Sequence, residues 1–91
     1  MGRVVPVTFQ LRGALIVSAR QVAVVGPFNG WDPNVNPLTK NVEGDWAATI
    51  YLPPGRTLYH FWVDGFAWLD PYDEGRVHNC WGAEYSVRNI R

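Results

Sequence analysis

The sequence predicts an all-β fold, an immunoglobulin-like antiparallel β-sandwich of about seven strands. Apolar and polar residues alternate with the two-residue period of half-buried strands, and Gly, Pro, Asn and Asp punctuate the chain at short intervals. No stretch carries a convincing helical pattern. A length of 91 residues fits one domain spanning 1–91, with no internal repeat or linker. With 47% hydrophobic and 18% charged residues the chain has the apolar surface to fold and too little charge to stay disordered.

The first strand reads Val5, Val7, Phe9 and Leu11 on one side against Pro6, Thr8, Gln10 and Arg12 on the other. After Gly13, the run Ala14-Leu15-Ile16-Val17 fits a strand or a buried helix by periodicity, and its β-branched residues and short length favour strand. A further strand covers Gln21 to Val25. From Gly26 to Pro37, three prolines, two glycines and three asparagines make a loop ordered by its own turns.

Next, Trp46, Ala48, Ile50 and Leu52 alternate with Ala47, Thr49 and Tyr51. Pro53-Pro54-Gly55 then turns the chain, with a hairpin partner expected at once. Thr57, Tyr59, Phe61 and Val63 alternate with Leu58, His60, Trp62 and Asp64, and Asp64-Gly65 is a two-residue type I′ signal leading into Phe66 to Leu69. Asp70-Pro71 ends that strand. A polar stretch from Tyr72 to Asn79 and Trp81-Gly82 precede a closing strand, about Glu84 to Ile90.

Eight basic and eight acidic residues cancel, so no electrostatic footprint for nucleic acid exists. Cys80 is the only cysteine, which excludes an intrachain disulfide and points to a reducing cytoplasm. Met1 to Pro6 shows no apolar signal core or cleavage site, and no run is long enough to span a bilayer, so neither export nor membrane insertion is expected. Pro6 stands where a myristoylation start needs Ser or Thr. The unusual quantity is aromatic: five Trp, four Tyr and four Phe, more than a small core needs.

Val25-Gly26-Pro27-Phe28-Asn29-Gly30-Trp31-Asp32-Pro33 resembles the family 48 carbohydrate-binding modules, the glycogen- and starch-binding β-sandwiches. The resemblance continues in order through Gly44-Asp45-Trp46, Leu52-Pro53-Pro54-Gly55, Tyr59 to Gly65, Asp70-Pro71, Asn79-Cys80-Trp81-Gly82 and Ser86-Val87, covering nearly the whole chain. The module is similar to the amino-terminal domain of branching and debranching enzymes and to the glycogen-binding domain of the AMP-activated protein kinase β subunit. It implies a non-catalytic module that binds glycogen or another α-glucan, or a maltooligosaccharide, without a cofactor. The alternative, from a different class, is a protein-interaction or regulatory sandwich that tethers or regulates a separately encoded partner, such as a glucan-metabolising enzyme or a kinase.

A hexose has C–H groups on its faces and hydroxyls round its rim, so it needs flat aromatic platforms flanked by hydrogen-bonding groups. Trp31 matches one of the family's sugar-stacking tryptophans by resemblance; the plain alternative is that it plugs one end of the sandwich. His60 stands where the family commonly places a lysine, and its strand parity turns it away from the core. An ordinary surface histidine fits the same position. The family's second stacking tryptophan falls at Ala67, with Trp68 one residue later. Trp68 is therefore either a core residue or reaches the sugar face through a bulge. Trp62 shares the parity of His60 and is a substitute platform, or else covers the core from outside. Asn79 and Trp81 occupy the segment that contacts glucan in the family, and Tyr85 replaces a sugar-bonding asparagine. Trp46 and Phe28 read as structural.

Asp70, Asp73 and Glu74 are close enough in sequence to raise paired-carboxylate glycoside hydrolysis. Acidic residues beside Pro71 and Gly75 more often cap turns, and a domain this small offers no deep cleft, so no enzyme is expected. His78 and Cys80 lack a second ligand pair at zinc spacing, so no metal site is expected. Ser18 and Ser86 have no neighbouring base or nucleophile elbow.

Overall fold

A computed structural model describes residues 2–91 and contains two antiparallel sheets facing each other. In the first, β1 (Val5–Leu11) pairs along its length with β4 (Trp46–Leu52), from Val5 opposite Leu52 to Leu11 opposite Trp46, and β3 (Thr39–Lys40) closes the far side. In the second, β2 (Val22–Val25), β5 (Gly55–Val63), β8 (Glu84–Ile90) and β7 (Arg76–His78) lie in that order. β6 (Phe66–Trp68) continues the ladder on the carboxyl-terminal half of β5. Among the described residues there is no α-helix, and none long and apolar enough to cross a membrane.

Alternation decides which side chains fill the space between the sheets. Val7, Phe9 and Leu11 of β1 meet Tyr59, Phe61 and Val63 of β5, with Val22, Val24, Trp46, Leu52 and Ile90 around them. Phe9 holds the centre: its ring lies 5.0 Å from Tyr59, edge-on, and 5.8 Å from Phe28, stacked. Phe28 and Trp46 are thus structural, as expected.

One polar knot sits inside. Buried Asp70 accepts from the Tyr59 hydroxyl at 2.6 Å and from Tyr72 N at 2.9 Å, while its own N–H donates to the buried Ser86 hydroxyl at 3.0 Å. Burial first, and the Asp70 carboxylate second, push the Tyr59 phenol well above its usual range. The knot joins β5, the chain after β6, and β8. At the rim, Arg88 of β8 lies 5.3 Å over the Phe9 ring and donates 2.8 Å to the Thr8 carbonyl of β1, the outermost strand of the opposite sheet.

The structure departs from expectation in three places. Ala14 to Val17 is not a strand: Gly13–Leu15 is a 3-10 turn, only Ile16 enters the core, and Val17 is 80% exposed. The cause lies far along the chain. Gly13 N donates to Asp45 Oδ1 at 2.9 Å, and a Cβ on Gly13 would lie 1.9 Å from the Gly44 carbonyl, so this segment bends against the β3–β4 turn and finds no strand partner.

Pro53-Pro54 does not close a hairpin. β4 already has β1 and β3 on its two sides, and prolines cannot donate to a ladder, so the chain crosses to the other sheet, with Gly55 at φ 134°. Finally, the polar stretch before Asn79 contains β7, and β3 also forms, so the strands number eight. Both added strands are short and polar, as edge strands tend to be.

Candidate functional site

The loop from Gly26 to Pro37 is organised by Asn29. Its Oδ1 accepts from Gly26 N at 3.1 Å, and its Nδ2 donates to Val24 O at 2.9 Å and Asn36 Oδ1 at 2.8 Å. Gly26 is needed at the base of the loop: a Cβ there would lie 2.4 Å from the Phe28 ring and 2.7 Å from Leu58 O. The Gly26 carbonyl then accepts from both Asn29 N and Trp31 N. Pulled back by that bond, Gly30 and Trp31 both adopt left-handed backbone, φ 66° and 60°. For a residue with a Cβ this costs about 1–2 kcal/mol, so the loop's bonding holds Trp31 in a conformation it would not choose alone.

The result is a cluster of three rings from three segments. Trp31, from the loop, is 37% exposed and lies 5.5 Å from His60 of β5 and 5.1 Å from Tyr85 of β8. His60 and Tyr85 stack at 6.1 Å with planes 25° apart. The plug reading of Trp31 is not what the structure shows, because the indole sits on the outer face of the five-stranded sheet. His60 Nδ1 lies 3.0 Å from the Phe61 carbonyl, which can only accept, so Nδ1 is the donor in that hydrogen bond. The rings offer flat apolar faces, and His60 and Tyr85 carry polar atoms beside them.

Trp62 is half-buried on the same face as His60. Its cross-strand neighbours are Ala23 of β2 and Ala67 of β6, two small residues that leave room for an indole on both sides. Trp68 is placed elsewhere. It pairs with Phe61 in an unbroken ladder, without a bulge, so it belongs to the inward face, where the edge position of β6 leaves it 39% exposed. Neither alternative for Trp68 is what the structure shows: the ladder has no bulge, and the exposed indole is not part of the core.

Asn79 and Trp81 lie on the turn between β7 and β8. Asn79 Oδ1 accepts from Trp81 N at 2.9 Å and Ala83 N at 3.0 Å, so its carbonyl holds the turn. Trp81 stands 87% exposed at the tip, outside the three-ring cluster. The acidic residues after β6 are engaged with the fold: Asp70 in its knot, Asp73 at 2.8 Å from Arg76, and Glu74 accepting from Asn89 N at 3.0 Å. Bonding from Asn89 holds the Glu74 carboxyl below its usual range.

Sequence reasoning passed over two sets of residues. Asn29 and Asn36 act through the loop backbone, and the three asparagines in one short loop were the available signal. Ala23 and Ala67 matter by being small, which strand parity relative to Trp62 would have exposed.

A family model described as the glycogen recognition site of AMP-activated protein kinase matches residues 5–83. No curated protein matches the chain. The matched span contains the loop, β5, β6 and the Asn79–Trp81 turn, and stops just short of Tyr85.

Proposed function

Since the chain belongs to the family of glycogen recognition sites of AMP-activated protein kinase, we propose that it is a non-catalytic module that docks on an α-glucan through the face formed by Trp31, His60 and Tyr85, with Trp62 as a further platform. The observation that carries this reading is the convergence of three rings from separate segments on one exposed face, one of them held against its backbone preference. Hexose faces stack on Trp31 and Tyr85, while His60 Nε2 and the Tyr85 hydroxyl exchange hydrogen bonds with sugar hydroxyls.

Trp62 answers the departure at position 67. It stands directly across the ladder from Ala67, so an aromatic missing from one strand is supplied by its partner on the same face. A shallow site with few platforms gives a Kd of roughly micromolar to millimolar, and a polymer with many sites raises retention. Retardation on a native gel containing glycogen tests the proposal. Wild type is expected to be slowed and Trp31→Ala to run as in a sugar-free gel; a wild type that ignores glycogen overturns it.

A second reading, a protein-docking module, draws on Phe66 and Trp81, which are 73% and 87% exposed away from the ring cluster. Concentration-dependent self-association that glycogen does not compete away would favour it.

A further inference from the structure

At the β2 edge of the sheet, Trp62 borders a groove of about 310 Å³ lined by Arg20, Gln21, Pro33, Asn34 and Pro37, together with the core residues Val22, Leu38 and Trp46. The loop that presents Trp31 therefore also builds part of this groove. His60 and Trp62 are two residues apart on one strand face, hence about 7 Å apart along it, so the groove's indole lies one strand repeat from the ring cluster. We infer that the groove takes the continuation of the same glucan chain, with the Trp62 indole as its platform and Arg20, Gln21 and Asn34 as its hydroxyl-binding groups.

The chemistry of the walls fits an uncharged, polyhydroxylated ligand. Among the described residues, no hydrogen bond or ion pair engages the side chains of Arg20, Gln21 or Asn34, so their donors and acceptors are free for a ligand. Their backbone, in contrast, is anchored. Asp64, at the β5–β6 turn, accepts from Arg20 N at 3.0 Å and Gln21 N at 2.8 Å, and its own N–H donates to Gln21 O at 3.0 Å. Asn34 N is bonded at 2.9 Å to Asp32 Oδ1. Two proline walls add surface of fixed shape. The volume lies at the lower end for small-molecule sites, about 300 Å³, and suits a sugar unit rather than a folded partner.

This inference rests on the glucan reading of the Trp31 face, and it adds that affinity grows with chain length through residues outside the ring cluster. Calorimetric titration of the whole chain with maltotriose and maltoheptaose tests it, with thermal unfolding as the check on folding. Wild type is expected to bind the heptaose about tenfold or more tightly than the triose, and Arg20→Ala/Asn34→Ala to reduce that ratio to about threefold or less. Trp62→Phe, a smaller platform, is expected to give an intermediate ratio, whereas Trp31→Ala weakens both sugars together. A flat chain-length profile in wild type, or an undiminished ratio in the double variant, overturns the groove while leaving the ring cluster in place. A wild type that binds neither sugar overturns both.

Discussion

Two turns each present a tryptophan, and they do so in opposite ways. The loop at Trp31 is bonded outward into the sandwich: Asn29 reaches Val24 of β2, Gly26 packs under Phe28 and against Leu58, and the indole meets rings from β5 and β8. The turn at Trp81 is bonded only within itself through Asn79, and its indole stands almost wholly in water. A ring that has already lost its freedom on folding costs less to use in binding, so exposure alone marks neither the better platform nor the better site. The half-exposed tryptophan is the prepared one.

Changes at the base of each turn should break this contrast most visibly. Gly26→Ala forces a Cβ into Phe28 and the Leu58 carbonyl and is expected to cost about 3 kcal/mol in denaturant unfolding, the upper end for overpacking. Gly82→Ala, at φ 87° in open space, should cost about 1–2 kcal/mol. At the two organising asparagines, Asn29→Ala strands groups in β2 and the loop and should lose about 2 kcal/mol together with glycogen retention. Asn79→Ala should lose about 1 kcal/mol or less by the same measurement.

At the rings themselves, Trp31→Ala is expected to weaken maltoheptaose binding about tenfold or more, and Trp81→Ala by no more than about threefold, read by titration of intrinsic fluorescence. Equal losses would erase the distinction between the two turns.

The smallest effect concerns the knot one residue from Tyr85. The Tyr59 phenol is raised in the folded state, so its contribution is complete below the ordinary phenol value of about 10 and declines as pH rises beyond it. Stability should therefore fall by about 1 kcal/mol on going to pH 11, and Tyr59→Phe should remove that part of the alkaline slope although it lowers stability at neutral pH by stranding Asp70. Unfolding curves at pH 8 and pH 11 for both proteins check the difference.

Features governed by neighbours along the chain were legible in the sequence. Alternation identifies Phe9, Tyr59 and Phe61 as core, and Asp64-Gly65 sets the register of β5 and β6, which is why the offset of Trp68 from position 67 is visible in the sequence. The exposure of His60 followed from the same parity. Features governed by distant contacts were not legible. The turn at Gly13 depends on a carbonyl and a carboxylate more than thirty residues away, and the sheet that β5 joins depends on which sides of β4 are already occupied. Likewise the convergence of Trp31 with Tyr85 required the whole sandwich, and the groove beside Trp62 required the end of the loop to pair along β2.

The reach of Arg88 across the rim has a consequence for crowding. A branched polymer gathers many modules on one particle, where bare strand margins would zip neighbouring molecules into aggregates. Here the outermost strand of the smaller sheet has Pro6, which lacks a donor, and a Thr8 carbonyl already occupied by a guanidinium. That margin offers a poor template for a ninth strand, so edge-to-edge pairing of two copies through β1 is disfavoured.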